Sequence, residues 1–254
     1  MDVRDVYDST VNYIPKHFTL EHYKSAAKLL KYSSSLFGTI FLSGTIAFIQ
    51  MAMSTFVAYG FARFNFKGNG LLFVMAILAM MIPPDVLLVP YYLYFRSMSI
   101  LDTWWPLIIL SLTCTGLKNG LYIFIMRQYF KGIPRALEEA AYIDGAGVFR
   151  TLVSVILPDA KGMMITVFLF SFVWMWLDGT YTPVFCSGLN VLQTTMGTLL
   201  NPLDSLADVG NTQVLAGGLI INAGILLVIT PLLVLYAIMQ KSFVESISRS
   251  GLVG

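Results

Sequence analysis

Residues Ser33 to Ala62 read SSSLFGTIFLSGTIAFIQMAMSTFVAYGFA, thirty positions without one Asp, Glu, Lys or Arg. A bilayer's hydrocarbon core needs about 20 apolar residues of helix to cross it, so this stretch is long enough to span. Val209 to Gln240 is charge-free in the same way. The composition of the whole chain agrees. Its 254 residues are 57% hydrophobic and only 12% charged, with mean hydropathy +0.74, whereas soluble domains run at about 45–50% apolar and about 25% charged. Such a chain cannot cover a globule with polar surface, and it reads as an integral membrane protein with lipid as its main surroundings. The net charge of +2 and pI near 8.4 are too mild for a nucleic-acid footprint, so no nucleic-acid partner is expected.

A spanning-length window finds five apolar segments, at about Ser33–Ala62, Gly70–Phe95, Thr103–Met126, Gly162–Val184 and Asn211–Gln240. Long runs that are apolar on every face are helices, since barrel strands would be alternating segments of about ten residues. The predicted fold is therefore an all-α integral membrane bundle with five spanning helices. Lys and Arg set its orientation. Nine of them (Arg63, Lys67, Arg127, Lys131, Arg135, Arg150, Lys161, Lys241 and Arg249) fall on one side if the helices alternate, and the opposite loops hold Arg96, with Asp204 and Asp208 in 185–210. The positive-inside rule then places loop 127–161 and the C-terminus in the cytoplasm and the N-terminus outside.

Residues 1–32 read as an external N-terminal segment and 33–254 as the transmembrane domain. The segment carries Arg4, Lys16, Lys24, Lys28 and Lys31, which fit an external placement poorly unless an earlier helix has already set the orientation. It is no signal peptide, because about thirty polar residues precede the first apolar run. Cys114 and Cys186 stand apart without a CxxC pair, and the two histidines, His17 and His22, lie in the polar stretch. Neither a metal site nor a disulfide framework is indicated.

Three ionisable residues interrupt the spans, and charge at membrane depth is costly enough to suggest a function. Lys118 lies in Gly116-Leu-Lys-Asn-Gly120, a GxxxG spacing that permits close helix contact. Its stem is expected to reach toward the cytoplasmic headgroups or a helix carbonyl. Asp85 follows Pro83-Pro84, which mark either the end of span two or a broken helix lining a path. Asp178 closes Trp174-Met-Trp-Leu-Asp178. Trp174 and Trp176 fit an interfacial aromatic belt; with Asp178 and Tyr181 they also fit a carbohydrate path, in which aromatic faces stand beside a carboxylate. Asp85, Trp174, Trp176, Asp178 and Tyr181 are thus the candidate solute-path residues, expected to lie closer to the solute than Lys118 does.

Loop 127–161 is where the pattern becomes specific. Pro134 suits a first helical turn, Leu137, Ala140, Ala141 and Asp144 recur at helix spacing, and Glu138 and Glu139 favour the positive end of that helix. Gly145 and Gly147 supply a turn before a second apolar run ending at Pro158. The expected result is a helix-turn-helix with a small-residue face that a partner protein can approach closely.

Glu139-Ala-Ala141, three residues, Gly145, nine residues, then Val155-Ile-Leu-Pro158 resembles the EAA signature of permease subunits of bacterial ABC importers, with Val155 in place of Ile as the one departure. The flanks Tyr59-Gly-Phe-Ala-Arg63, Phe66-Lys-Gly68, Met81-Ile-Pro83, Ile143-Asp-Gly-Ala146 and Phe243-Val244 are similar to the carbohydrate, maltose-type branch. The resemblance implies a cell-membrane subunit that works with a second permease, two ATP-binding subunits and an external solute-binding protein. It implies that the loop is a coupling helix, with Glu138, Glu139, Ala140, Ala141, Asp144, Gly145 and Pro158 in or beside the dock. The family usually has six spanning helices, and Met1 falls where the external segment before the second would lie. No G-x-x-x-x-G-K-[ST] loop is present. ATP and Mg are expected in the partner ATPases, with no cofactor and no catalytic residue in this chain. A permease for an amino acid shares the EAA loop and is the alternative; a membrane enzyme lacks a nucleophile–base pair or metal cluster to support it.

Overall fold

The computed structural model describes residues 16–197, 199 and 211–251, with side chains described outside 211–216 and 241–251. The tail charges Asp2, Arg4, Asp5 and Asp8 and the loop residues Asp204 and Asp208 lie outside the described residues. The described elements are helical: α1 Glu21–Leu29, α2 Tyr32–Arg63, α3 Asn69–Met81, α4 Pro84–Ser97, α5 Trp105–Leu112, α6 Asn119–Gly132, α7 Ala136–Ile143, α8 Val148–Asp159, α9 Lys161–Trp176, α10 Tyr181–Phe185 and α11 Asn211–Gly251. They fall into two compact units, residues 1–41 with 186–238, and residues 42–185 with 239–254.

α2 and the Gly217–Gln240 part of α11 are long and apolar enough to cross a membrane unaided. α2 runs 32 residues without a proline. Along one face it buries Ser35, Thr39, Ser43, Gln50 and Ser54 to 1% exposure or less, and Ala47 and Ala58 equally deeply. A seam of small and hydroxylated residues is what a helix needs when lipid supplies no hydrophobic force between helices. At the start of α2, Ser35 Oγ donates to the Leu30 carbonyl at the end of α1, at 2.8 Å.

The other expected spans are interrupted. The second breaks at Ile82–Pro83, where α3 and α4 meet at 95°. Pro83 and Pro84 lack N–H donors, and the residue before a proline is pushed out of the helical region; Ile82 is accordingly extended at ψ 122°. The double proline is therefore a break inside a helical pair. The third divides into α5 and α6 around 113–118, with Cys114 and Lys118 left-handed at φ 57° and 60°. Its freed backbone is paired within the protein, Thr115 N and Gly116 N both donating to the Leu110 carbonyl at 2.9 and 2.8 Å, as non-helical backbone at membrane depth requires. The fourth is α9, followed by the short α10.

In the first unit, Leu30, Leu199 and Ile221 form a small core, and the Tyr32 hydroxyl donates to the Leu227 carbonyl at 3.0 Å. In the second, the core joins Ala58 and Tyr59 of α2, Phe73 of α3, Tyr122, Met126 and Phe130 of α6, Leu152 and Ile156 of α8, and Met163 and Val167 of α9. Leu152–Ile156 is a π-helical turn inside α8, and α8 meets α9 at 77°. Gly120 lets α6 lie directly on α3, since a Cβ there would stand 2.7 Å from the Ala76 carbonyl oxygen.

Candidate coupling site and intramembrane cavity

The loop forms the helix-turn-helix that its pattern predicts, α7 and α8. α7 ends in a Schellman motif: Gly145 N donates to the Tyr142 carbonyl at 3.0 Å and Ala146 N to the Ala141 carbonyl at 2.9 Å, with Gly145 at φ 79°. This closure calls for a left-handed residue, which glycine supplies without a Cβ penalty.

The two adjacent glutamates face opposite ways. Glu138 is buried, its carboxylate 3.0 Å from Arg63 Nε, with the two side chains 9% and 6% exposed. The Tyr59 hydroxyl donates to Glu138 Oε1 at 3.2 Å, and Arg63 Nη2 donates to the Ile133 carbonyl at 2.8 Å. Tyr59 and Arg63 stand four residues apart on one face of α2, so the end of α2 clasps both the entry and the first turn of α7. Glu138 is thus the inward anchor of the loop: with Arg63 buried beside it, each charge needs the other to avoid standing uncompensated.

Glu139, Ala140, Asp144, Gly145 and Pro158 are exposed, while Ala141 is buried at 9%. The surface around them holds the exposed small residues Ala136, Ala140, Gly145 and Gly147, and large apolar ones beside them. It carries Ile143 at 86% and Phe149 at 71% exposure, with Leu137, Tyr142 and Val148 also exposed. Large apolar groups in the open, next to a carboxylate and a tight turn, make a surface suited to a protein partner. The signal was in the sequence, since Ile143 and Phe149 flank a turn of mostly small residues, Asp144-Gly-Ala-Gly147.

Beside the two helix breaks lies a cavity of about 310 Å³ lined in part by Pro84, Tyr91, Thr115, Lys118, Asn119 and Tyr181. Lys118 lays its ammonium over the Trp174 ring, 4.7 Å from the centroid. It does not reach the cytoplasmic headgroups, because α6 carries it about 20 Å from Gly132 at 1.5 Å per residue. Behind the cavity, Asn119 Nδ2 donates to Ser54 Oγ at 3.2 Å, and Gln50 contacts both Ser171 Oγ and, at 3.4 Å, the Leu117 carbonyl.

The expected path residues separate. Tyr181 lines the cavity, its hydroxyl donating to the Pro84 carbonyl at 3.5 Å. Asp85 is exposed in the first turn of α4, and Trp174 is 46% exposed. Trp176 is buried at 2%, packed near Phe172. Asp178 is buried and accepts from Thr180 N, Tyr181 N, Thr182 N and Thr182 Oγ1 at 2.7–3.1 Å. Its carboxylate is taken up by the backbone N–H groups that open α10, much as a capping Asp's is, while Lys118 borders the cavity.

Comparison with known proteins agrees with this architecture. Residues 50–248 match the family described as binding-protein-dependent transport system inner membrane component. The probable ABC transporter permease protein YurM of Bacillus subtilis is 31% identical over 222 residues, covering 87% of this chain and 70% of its own. The maltodextrin transport system permease protein MdxG of the same organism is 26% identical over 239 residues, 93% of this chain and 81% of its own. A chain from the crystal structure of a bacterial ABC transporter involved in the import of the acidic polysaccharide alginate superposes with a TM-score of 0.67 over 94% of this chain and 84% of that one, at 22% identity, which is a likeness of fold. With the EAA loop folded as a helix-turn-helix and most of the chain within the family's match, this protein belongs to the inner membrane components of binding-protein-dependent transport systems, which are transport subunits rather than enzymes.

Proposed function

We propose that this chain is one of two permease subunits of an ATP-driven importer for a carbohydrate of di- or oligosaccharide size. It crosses the membrane five times, with loop 127–161 and the C-terminus in the cytoplasm. A second permease completes the path, an external binding protein delivers the solute, and two partner subunits bind ATP and Mg. The observation that carries this reading is the two-sided loop: Glu138 ties it to α2 through Arg63 and Tyr59, while Glu139, Ile143, Gly145 and Phe149 face outward. A helix held rigidly on one side and open on the other can carry a partner's motion into the membrane helices. The carbohydrate assignment is supported by the flanking motifs and by the maltodextrin permease among the relatives.

Reconstitution of the four kinds of subunit in proteoliposomes tests the reading. ATP hydrolysis should rise when the binding protein is loaded with an oligosaccharide, and labelled sugar should accumulate. Stimulation by an amino acid and by no sugar would overturn the carbohydrate assignment, and failure of the chain to retain any ATPase subunit would overturn the coupling role.

A further inference from the structure

We infer that Lys118 is a specificity residue and that the solute taken by this permease is a carbohydrate bearing an anionic group, a uronate-type carboxylate. The inference rests on the carbohydrate reading above and narrows it. α6 and α9 carry Lys118 and Trp174 each about 20 Å from the ends that join the basic loop, at 1.5 Å per residue, which is well inside a hydrocarbon core of about 30 Å. A cation held there needs a partner or a wet cavity. Among the described residues no carboxylate lies within 4 Å of the Lys118 ammonium, and its neighbour is the face of Trp174, 4.7 Å away. Asp178, the nearest acidic residue along α9's sequence, is occupied with the start of α10, and Asp85 stands exposed on α4. Lys118 thus borders the cavity between the two helix breaks as a half-buried charge stacked on an aromatic ring, without a counter-ion among the described residues.

A neutral sugar gives such a group only a hydroxyl to bind. A carboxylate gives it the missing charge, and Thr115, Asn119, Tyr91 and Tyr181 on the same wall supply donors and acceptors for sugar hydroxyls. The left-handed backbone at Lys118, φ 60°, is compatible with Gln or Arg as readily as with Lys. The site can therefore be tested without changing the fold around it.

The assay is uptake and ATP hydrolysis by the complete complex in proteoliposomes, with its binding protein, using digalacturonate and its neutral counterpart galactobiose as probes. Digalacturonate should be the better substrate. Lys118→Gln should lower its kcat/KM by about ten- to a hundredfold, the usual range for losing a charge-assisted contact, and change galactobiose by less than about threefold. Lys118→Arg should retain most of the preference. Size-exclusion profiles of each variant check assembly. A wild-type complex that carries galactobiose as well as or better than digalacturonate overturns this inference and leaves the carbohydrate reading intact. Uptake of neither sugar, with an amino acid accepted instead, overturns both. If Lys118→Gln releases the second permease or slows both sugars alike, Lys118 is a subunit contact and the inference is overturned.

Discussion

Glu138 and Glu139 are neighbours in sequence, yet replacing them should have opposite consequences. Glu138→Ala removes the carboxylate 3.0 Å from an Arg63 side chain that is only 6% exposed. Breaking a buried ion pair from one side leaves an uncompensated charge and typically costs about 3–5 kcal/mol, and the Tyr59 hydroxyl loses its acceptor. The bond from Arg63 Nη2 to the Ile133 carbonyl remains and offsets part of that cost. Glu139→Ala touches an exposed carboxylate, for which a lost surface pairing is worth about 0–1 kcal/mol. Thermal inactivation of the purified complex should therefore fall clearly for Glu138→Ala and hardly at all for Glu139→Ala. The double replacement Arg63→Met with Glu138→Met should recover much of the loss, since an apolar pair of similar volume carries no stranded charge. Equal thermal losses for the two single variants, or a double variant no better than Glu138→Ala, would refute the inward anchor.

Gly145→Val should lose the ATPase on purification, because a β-branched residue at φ 79° is strained by about 1–3 kcal/mol, whereas Gly145→Asn, which tolerates the left-handed region, should keep it; equal retention by both would remove the turn from the coupling role. Asp178→Ala should lower thermal stability by about 0.5–2 kcal/mol, the usual cost of a lost N-cap, and leave KM for the solute unchanged; a raised KM at unchanged stability would return Asp178 to the solute path. With Cys114 and Cys186 replaced, a cysteine at Ser205 should react with an impermeant thiol reagent on intact cells and one at Ser250 should not, and the reverse pattern would invert the topology.

The all-helical membrane class was legible from two charge-free runs, because only helices and closed barrels satisfy their backbone groups without water, and long runs without alternation are not barrel strands. The helix-turn-helix was legible too: Pro134 and Gly145 mark its start and turn by their own backbone preferences. What periodicity could not show was direction. Glu138 and Glu139 have the same charge and the same helix propensity, and only the arrival of Arg63, 75 residues earlier in the chain, decides which one turns inward. The local role of Asp178 was hidden for a related reason. A carboxylate beside aromatic residues looks like a ligand group, but Thr180, Tyr181 and Thr182 follow it, and a buried Asp takes local backbone donors before it meets any solute. Lys118 escaped notice as a cavity residue because its neighbour Trp174 is 56 positions away in sequence.

The placement of stiffness supports the proposed coupling. On the loop side, one core holds Tyr59 of α2, Phe130 of α6, Ile156 of α8 and Met163 of α9, and the Arg63–Glu138 pair binds α7 to the same block. Densely packed interiors transmit displacement without absorbing it, so a partner pressing on Ile143 and Phe149 would move the loop ends of three membrane helices together. The compliant points lie elsewhere. Ile82–Pro83 and residues 113–118 interrupt α3/α4 and α5/α6 beside the cavity. Rigid-body motion at one end and ready-made breaks at the other are the conditions under which a small shift at a docking surface becomes a change in the shape of a cavity about 20 Å away.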